Sequence, residues 1–328
     1  MVPFSVLDLV RVREGSDIRT AIEQSREIAQ TAERLNYKRF WIAEHHGMAG
    51  IASAATSIVI SYIAAGTQTI RMGAGGIMLP NHAPLLIAEQ FGTLAHLYPG
   101  RIDLGLGRAP GSDQRTSRIL RVDPMAAENF PNDVLELQAF LGPKIAGHFE
   151  ATPGSGTEVP LWILGSSLFG ASLAAEFGLP YAFASHFAPD SLEAALVQYR
   201  ENFKPSKQQR LPYAMAGINI IAADTEEEAE FLSSTQTLSI VNLFRGERGL
   251  SQPPIENVNA QITAMEQVRI QQFFKYRFIG TLKTLQKDVS AFIARTKVDE
   301  LMVVSDVFDL EKRNRSFEII AELRDSLK

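Results

Sequence analysis

Glu44-His45-His46 stands where an apolar run ending in Trp41-Ile42-Ala43 gives way to a loop. A carboxylate beside two imidazoles has the chemistry to relay protons, bind a polar ligand or ligate a metal. Zinc is the poorer reading, because adjacent residues on a strand point to opposite faces and barrel hydrolases present His-x-His. A satisfied structural histidine is the plain alternative. Ser185-His186-Phe187 ends another apolar run and is open to the same two readings, ligand binding or a loop histidine of no consequence. The histidines at 82, 96 and 148 have no comparable setting and are assigned no role.

Glycine marks three further places. Gly73-Ala74-Gly75-Gly76-Ile77-Met78-Leu79-Pro80 puts three glycines at a strand end, which lets a backbone approach a flat ligand or simply serves a tight turn. Gly105-Leu106-Gly107-Arg108-Ala109-Pro110-Gly111 resembles a dinucleotide fingerprint only superficially. Its third glycine comes one place late, Pro110 interrupts the expected helix start, and no acidic ribose partner follows. What survives is Arg108 on a glycine-flanked strand end, suited to gripping a phosphate through two parallel hydrogen bonds or else an ordinary surface arginine. Gly165-Ser166-Ser167-Leu168-Phe169-Gly170 opens a helix through Ala174 and Ala175. Free amides and the helix dipole make such a start an anion site, with plain N-capping by Ser166 or Ser167 as the alternative. A serine-hydrolase elbow would need glycine where Phe169 stands.

These residues need a frame. Apolar runs at Phe4 to Leu9, Arg39 to Ala43, Ile70 to Ile77, Ile102 to Leu106, Leu161 to Leu164, Ala182 to Ser185, Ala214 to Ala222 and Leu301 to Val304 read as strands. Helical patterns separate them, among them Ile18 to Leu35, Ile51 to Ala65, Ala83 to Leu97, Gly170 to Phe177, Ser191 to Phe203 and Thr225 to Ser233. Strict alternation predicts an α/β fold with a parallel sheet, which eight units can close into a (β/α)8 barrel; an open doubly wound sheet reads similarly. The expected organisation is one barrel domain over residues 1–328. Two stretches too long for simple connections, roughly 109–160 and 236–280, read as insertions. The first is expected to carry one helix near Asn132 to Phe140, the second a lid at Gly249 to Asn257.

Composition narrows the chemistry. The chain has 328 residues, 45% apolar, enough for a large core. With net charge −5 and scattered basic residues it shows no footprint for nucleic acid and no polybasic membrane patch. The absence of cysteine removes disulfides, thiolate metal sites and thiol nucleophiles, and accords with a cytoplasmic location. No signal peptide pattern and no uncharged apolar stretch of about 18 residues is present, so export and membrane insertion are not expected.

Taken together, Trp41-Ile42-Ala43-Glu44-His45-His46, the Gly73 to Pro80 run, Gly100-Arg101 through Gly107-Arg108, and Ala174-Ala175-Glu176-x-Gly178-Leu179-Pro180 resemble the bacterial luciferase-like flavin monooxygenase family. Order and spacing match over nearly the whole chain, and Ala83 to Arg115 is similar to the branch of uncharacterised luciferase-like oxidoreductases. The resemblance implies a TIM barrel with FMN at the strand C-termini. His45 falls at the family's catalytic histidine beside the flavin, and Arg108 at the arginine that binds the FMN phosphate. Ser167, Leu168 and the backbone of Gly170 fall at the helix-start groups completing that phosphate site. Gly75 and Gly76 fall where members have a non-proline cis peptide against the isoalloxazine ring. Glu44, Gly107, Ser185 and His186 become candidates to face the flavin ring or the substrate, and no metal ligand is assigned.

Two departures from luciferase stand out. Gly107 replaces a reactive cysteine, leaving more room beside the ring, and Gly170 replaces a threonine, so only its amide can serve the phosphate. The resemblance further implies that reduced FMN from a separate flavin reductase reacts with oxygen to a C4a-peroxyflavin, with His45 controlling protonation near neutral pH, to oxidise a small organic substrate. A homodimer is the expected assembly. The rival readings are an F420-dependent dehydrogenase on the same fold, a non-catalytic flavin-binding protein, and a metal-dependent barrel hydrolase.

Overall fold

The computed structural model describes residues 2–109, 113–147 and 149–327, so Pro110, Gly111 and His148 lie outside the described residues. Its strands are β1 (Phe4–Asp8), β2 (Arg39–Ile42), β3 (Arg71–Met78), β4 (Ile102–Gly107), β5 (Leu161–Gly165), β6 (Tyr181–Phe183), β7 (Ala214–Ala222), β8 (Arg277–Gly280) and β9 (Glu300–Val304). The helices are α1 (Ile18–Arg34), α2 (Thr56–Ala64), α3 (Pro84–Leu97), α4 (Gln114–Ile119), α5 (Ala126–Leu141), α6 (Leu168–Phe177), α7 (Leu192–Asn202), α8 (Glu226–Arg245), α9 (Ala264–Phe273), α10 (Leu282–Thr296) and α11 (Leu310–Ser326).

All strand pairs are parallel, and they run β1-β2-β3-β4-β5-β6-β7-β9 back to β1. This is a closed eight-stranded barrel with helices between its strands, as the alternation predicts. The ring closes where Val6 pairs with Val303 and Tyr181 with Ala214. Strand β8 adds a ninth segment, since Asn219 to Ala222 at the far end of β7 pairs with Arg277 to Gly280.

Side-chain alternation explains why these segments are strands. Phe4, Val6, Phe40, Ile42, Leu301 and Val303 face outward into the core shared with the helices. Leu7, Trp41, Trp162, Met215, Met302 and Val304 fill the barrel interior. With both faces buried, the strands read as continuous apolar runs. Gly73 makes room in this packing, because a Cβ there would lie 2.7 Å from Trp41 Nε1 and 2.7 Å from the Asp103 carbonyl.

A charged floor closes the opposite end of the barrel, at the strand starts. Arg39 Nε donates to Glu300 Oε1 at 2.7 Å and its Nη1 to Asp103 Oδ2 at 2.7 Å. Arg71 reinforces Asp103, while Lys38, Tyr213 and Ser5 approach Glu300. Arg39, Asp103 and Glu300 are all buried, and the guanidinium lies 4.6 Å from the Trp162 ring centroid.

The insertions carry more order than the sequence suggests. The first holds two helices instead of one, α4 capped by Asp113 and α5 starting at Ala126 and continuing through Pro131. In the second, α8 runs on past Ser233 to Arg245, where Gly246 ends it in the left-handed conformation at φ 83°. Helix α2 starts at Thr56, five residues later than expected from Ile51. In the stretch Gly249 to Asn257 the Ser251 N–H donates to the Val12 carbonyl at 2.9 Å and its carbonyl accepts from the Glu14 N–H at 2.8 Å, and Arg248 beside the stretch is bonded to Asp113 at 3.0 Å.

Candidate functional site

The C-terminal ends of the strands surround a cavity of about 460 Å3. Its wall brings together His45, Gly75, Gly107, Arg108, Ser167, Gly170 and His186 from five separate segments. Glu44, Gly76, Leu168 and Ser185 do not line it.

At one side the strand β5 end meets the start of α6. Ser167 is the N-cap, yet its hydroxyl makes no capping bond, so plain capping does not occupy it. The first amides of α6 and this hydroxyl are left for an external acceptor. Gly170 keeps this corner tight, because a Cβ there would lie 3.3 Å from the Gly165 Cα and 3.3 Å from the Tyr181 ring. Arg108 stands opposite and, among the described residues, has no hydrogen bond or ion pair; its guanidinium lies 4.0 Å from the Phe169 ring centroid. Leu168 is exposed on the first turn of α6.

The ends of β3 and β4 form a shelf. The Gly75–Gly76 peptide is cis. A Cβ at Gly75 would come within 2.8 Å of Leu7 Cδ1, one at Gly76 within 2.7 Å of the Gly105 carbonyl, and one at Gly107 within 3.0 Å of Met78 Sδ. At Gly76 the obstruction is backbone, whereas at Gly75 and Gly107 it is the end of a neighbouring side chain, Leu7 or Met78.

His45 follows β2 through Ala43, whose N–H donates to the Asp8 carbonyl at 3.1 Å and whose carbonyl accepts from Ser53 Oγ at 2.6 Å. Burial, then the positive charge of Arg11, pushes the His45 imidazole down to about 4. Burial and nearby His45 push His186 down to about 4 as well. In the flavin-free protein this leaves His45 a neutral imidazole at pH 7. His186 rests on Gly217, where a Cβ would lie 2.3 Å from Nδ1.

Both folded-state values lie below the ordinary 6.5, so the unfolded chain takes up more protons as pH falls from about 6.5 to about 4, and stability is lost across that window. Each histidine adds a slope of at most about 1.4 kcal/mol per pH unit. Urea titrations at about pH 7 and about pH 4.5 are expected to show a smaller loss in a His45→Gln, His186→Gln double variant than in the parent. Equal losses would remove both histidines from the pH response.

Two expected contacts turn elsewhere. Ser185 is fully buried and donates to the Gly217 carbonyl at 2.6 Å, tying β6 to β7. Glu44 is buried, with Oε1 accepting from His46 Nε2 at 2.7 Å and His82 Nε2 at 2.8 Å, and Oε2 accepting from the Met78 N–H at 3.0 Å. Burial raises its carboxyl, but the bonds from His46 and His82 outweigh this and leave it at about 2. Glu44, His46 and His82 have the donor types for a metal. Ligand atoms held tetrahedrally at zinc distances stand about 3.3 Å apart, whereas both imidazoles here are hydrogen-bonded to Glu44 Oε1 at 2.7 and 2.8 Å.

Sequence reasoning missed His82, Arg11, Asp306 and Phe169. His82 follows β3, and β3 neighbours β2 in the sheet, so residues just past the two strand ends meet. Arg11, beyond β1, reaches Asp306, beyond β9, at 3.2 Å, again across neighbouring strands. The signal was rim position; residue type alone gave none.

The fold and cavity define a (β/α)8 barrel with its candidate site at the strand C-termini. A family profile described as luciferase-like monooxygenase matches residues 2–277. A "Luciferase-like monooxygenase" of Escherichia coli strain K12 is 49% identical over 99% of this chain and 98% of its own length. Among solved structures, apo-MsnO8 superposes with a TM-score of 0.92 at 32% identity, covering 99% of both chains. The FMN complex of the oxygenating constituent of 3,6-diketocamphane monooxygenase from Pseudomonas putida has TM-score 0.74 at 16% identity, covering 100% of this chain and 99% of that one. An F420-dependent secondary alcohol dehydrogenase has TM-score 0.69 at 15% identity, covering 100% of this chain and 99% of that one. The chain belongs to the luciferase-like monooxygenase family. Among the described residues no helix is long and apolar enough to cross a membrane.

Proposed function

We propose that this chain is an FMN-dependent monooxygenase that takes reduced flavin from a separate reductase and oxidises a small apolar organic substrate. The carrying observation is the unpartnered Arg108 facing the uncapped Ser167 and the start of α6 on one wall of the cavity, with a glycine shelf and His45 on the others. A terminal phosphate fits the first group, and a flat ring fits the shelf.

Reduced flavin supplies the activation of oxygen when bound. The protein's share is to hold and shield. Arg108, Ser167 Oγ and the Gly170 amide would grip the phosphate, and Gly75 and Gly107 would let a ring lie against backbone. His45, neutral at pH 7 and on the cavity wall, would hold or accept a proton beside a bound flavin. Met48, Ile51, Ile240, Leu243 and Phe273 line the cavity with apolar surface and exclude water from the substrate.

FMN titration of the purified chain, followed by oxygen uptake with and without an added flavin reductase, tests the reading. Full activity from NADPH and the chain alone would refute the two-component arrangement. Hydride transfer with F420 and no oxygen uptake would favour the second reading, in keeping with the F420-dependent fold relative. Within the flavin site, Arg108→Ala is expected to weaken FMN by about 2 kcal/mol while leaving riboflavin nearly unchanged. Equal weakening of both would place Arg108 away from the phosphate.

A further inference from the structure

We infer that Phe169 is a positioning residue for anion capture: its ring is the platform that holds the Arg108 guanidinium facing the start of α6. The inference rests on the flavin reading of the site. Four observations carry it.

Arg108 has five N–H donors and, among the described residues, no acceptor for any of them. A free arginine at a strand end samples many rotamers, and fixing it on ligand binding weakens the complex. Among the described residues Phe169 supplies a contact that orders it, with the guanidinium 4.0 Å from the ring centroid. A ring face attracts the cation without using any N–H, so the stack leaves the whole donor fork for a phosphate.

Among the described residues Phe169 packs into no hydrophobic core cluster. It lies in the first turn of α6, 38% exposed, although it is a large apolar residue and lines the cavity. The turn beneath it packs closely on the end of β5, where a Cβ on Gly165 would lie 3.3 Å from the Gly170 Cα. With glycine at 170 offering only an amide, ordering of Arg108 takes over part of the grip that a hydroxyl there would give.

The test is FMN and riboflavin binding, read by flavin fluorescence, for Phe169→Leu and Phe169→Tyr. Leucine keeps apolar bulk and removes the ring; tyrosine keeps the ring and controls for folding. Phe169→Leu is expected to raise the FMN Kd about fivefold and to leave the riboflavin Kd within about twofold, with Phe169→Tyr close to the parent for both. A leucine variant that binds FMN like the parent overturns the platform alone. Equal loss of both flavins also overturns it, since Phe169 would then support the ring or the local fold. No binding of either flavin by the parent chain would bring down the flavin reading itself.

Discussion

Arg39→Met is expected to lower the free energy of unfolding by about 3–5 kcal/mol, the range for breaking a buried ion pair from one side. Arg39 neutralises both Asp103 and Glu300 from the centre of the barrel floor, and methionine fills the space without replacing either charge. Arg71, Lys38 and Tyr213 remain as partners, which keeps the loss within that range. Chemical denaturation with the parent as reference gives the number. A loss below about 1 kcal/mol would show that those partners suffice and that the floor tolerates an apolar centre. A triple variant that also replaces Asp103 and Glu300 with apolar residues of similar volume should recover much of the stability, because no unpaired charge is left.

His45→Ala is expected to lower turnover by at least about 100-fold while FMN binding stays within about threefold of the parent. The split follows from geometry. His45 lines the cavity from the β2 side, whereas the phosphate group of residues sits at the ends of β4 and β5. A neutral imidazole offers one donor and one acceptor, and alanine removes both without disturbing Arg108 or Ser167. Stopped-flow and steady-state rates on the two proteins decide it; unchanged turnover would take His45 out of the chemistry.

Much of the barrel was legible because strands buried on both faces leave an unmistakable run of apolar residues. Val6, Phe40 and Val303 point outward while Leu7, Trp41 and Met302 point inward, and both sets are apolar. Strand β8 was not legible, for the opposite reason. Arg277, Phe278 and Ile279 are only partly buried, and the segment pairs with the end of β7 alone. Helix α8 was under-read because its middle, Ser233 to Thr237, is polar yet buried, and polar residues mid-helix give no periodic stripe.

The site divides in the same way. Residues with an unusual local setting, such as His45 after a strand and Arg108 between glycines, were found from the chain itself. Those whose role comes from a neighbour across the rim were not. Glu44 pointed at a ring or substrate in the sequence, but His46 and His82 claim its carboxylate from two different loops. Phe169 entered only as the residue that spoils a hydrolase elbow, because nothing in a single phenylalanine announces the cation resting on it.

The seam between β1 and β9 joins residues far apart along the chain, Phe4 with Leu301 and Val6 with Val303. During synthesis β1 therefore waits, with one edge unsatisfied, until β9 has left the ribosome. Partial chains carry an open sheet margin prone to pairing with a neighbour, and completion of the ring depends on a contact of very long loop length, which slows assembly. A chain cut before β9 would thus yield an unsealed cylinder that also lacks Met302 and Val304 of the cavity wall.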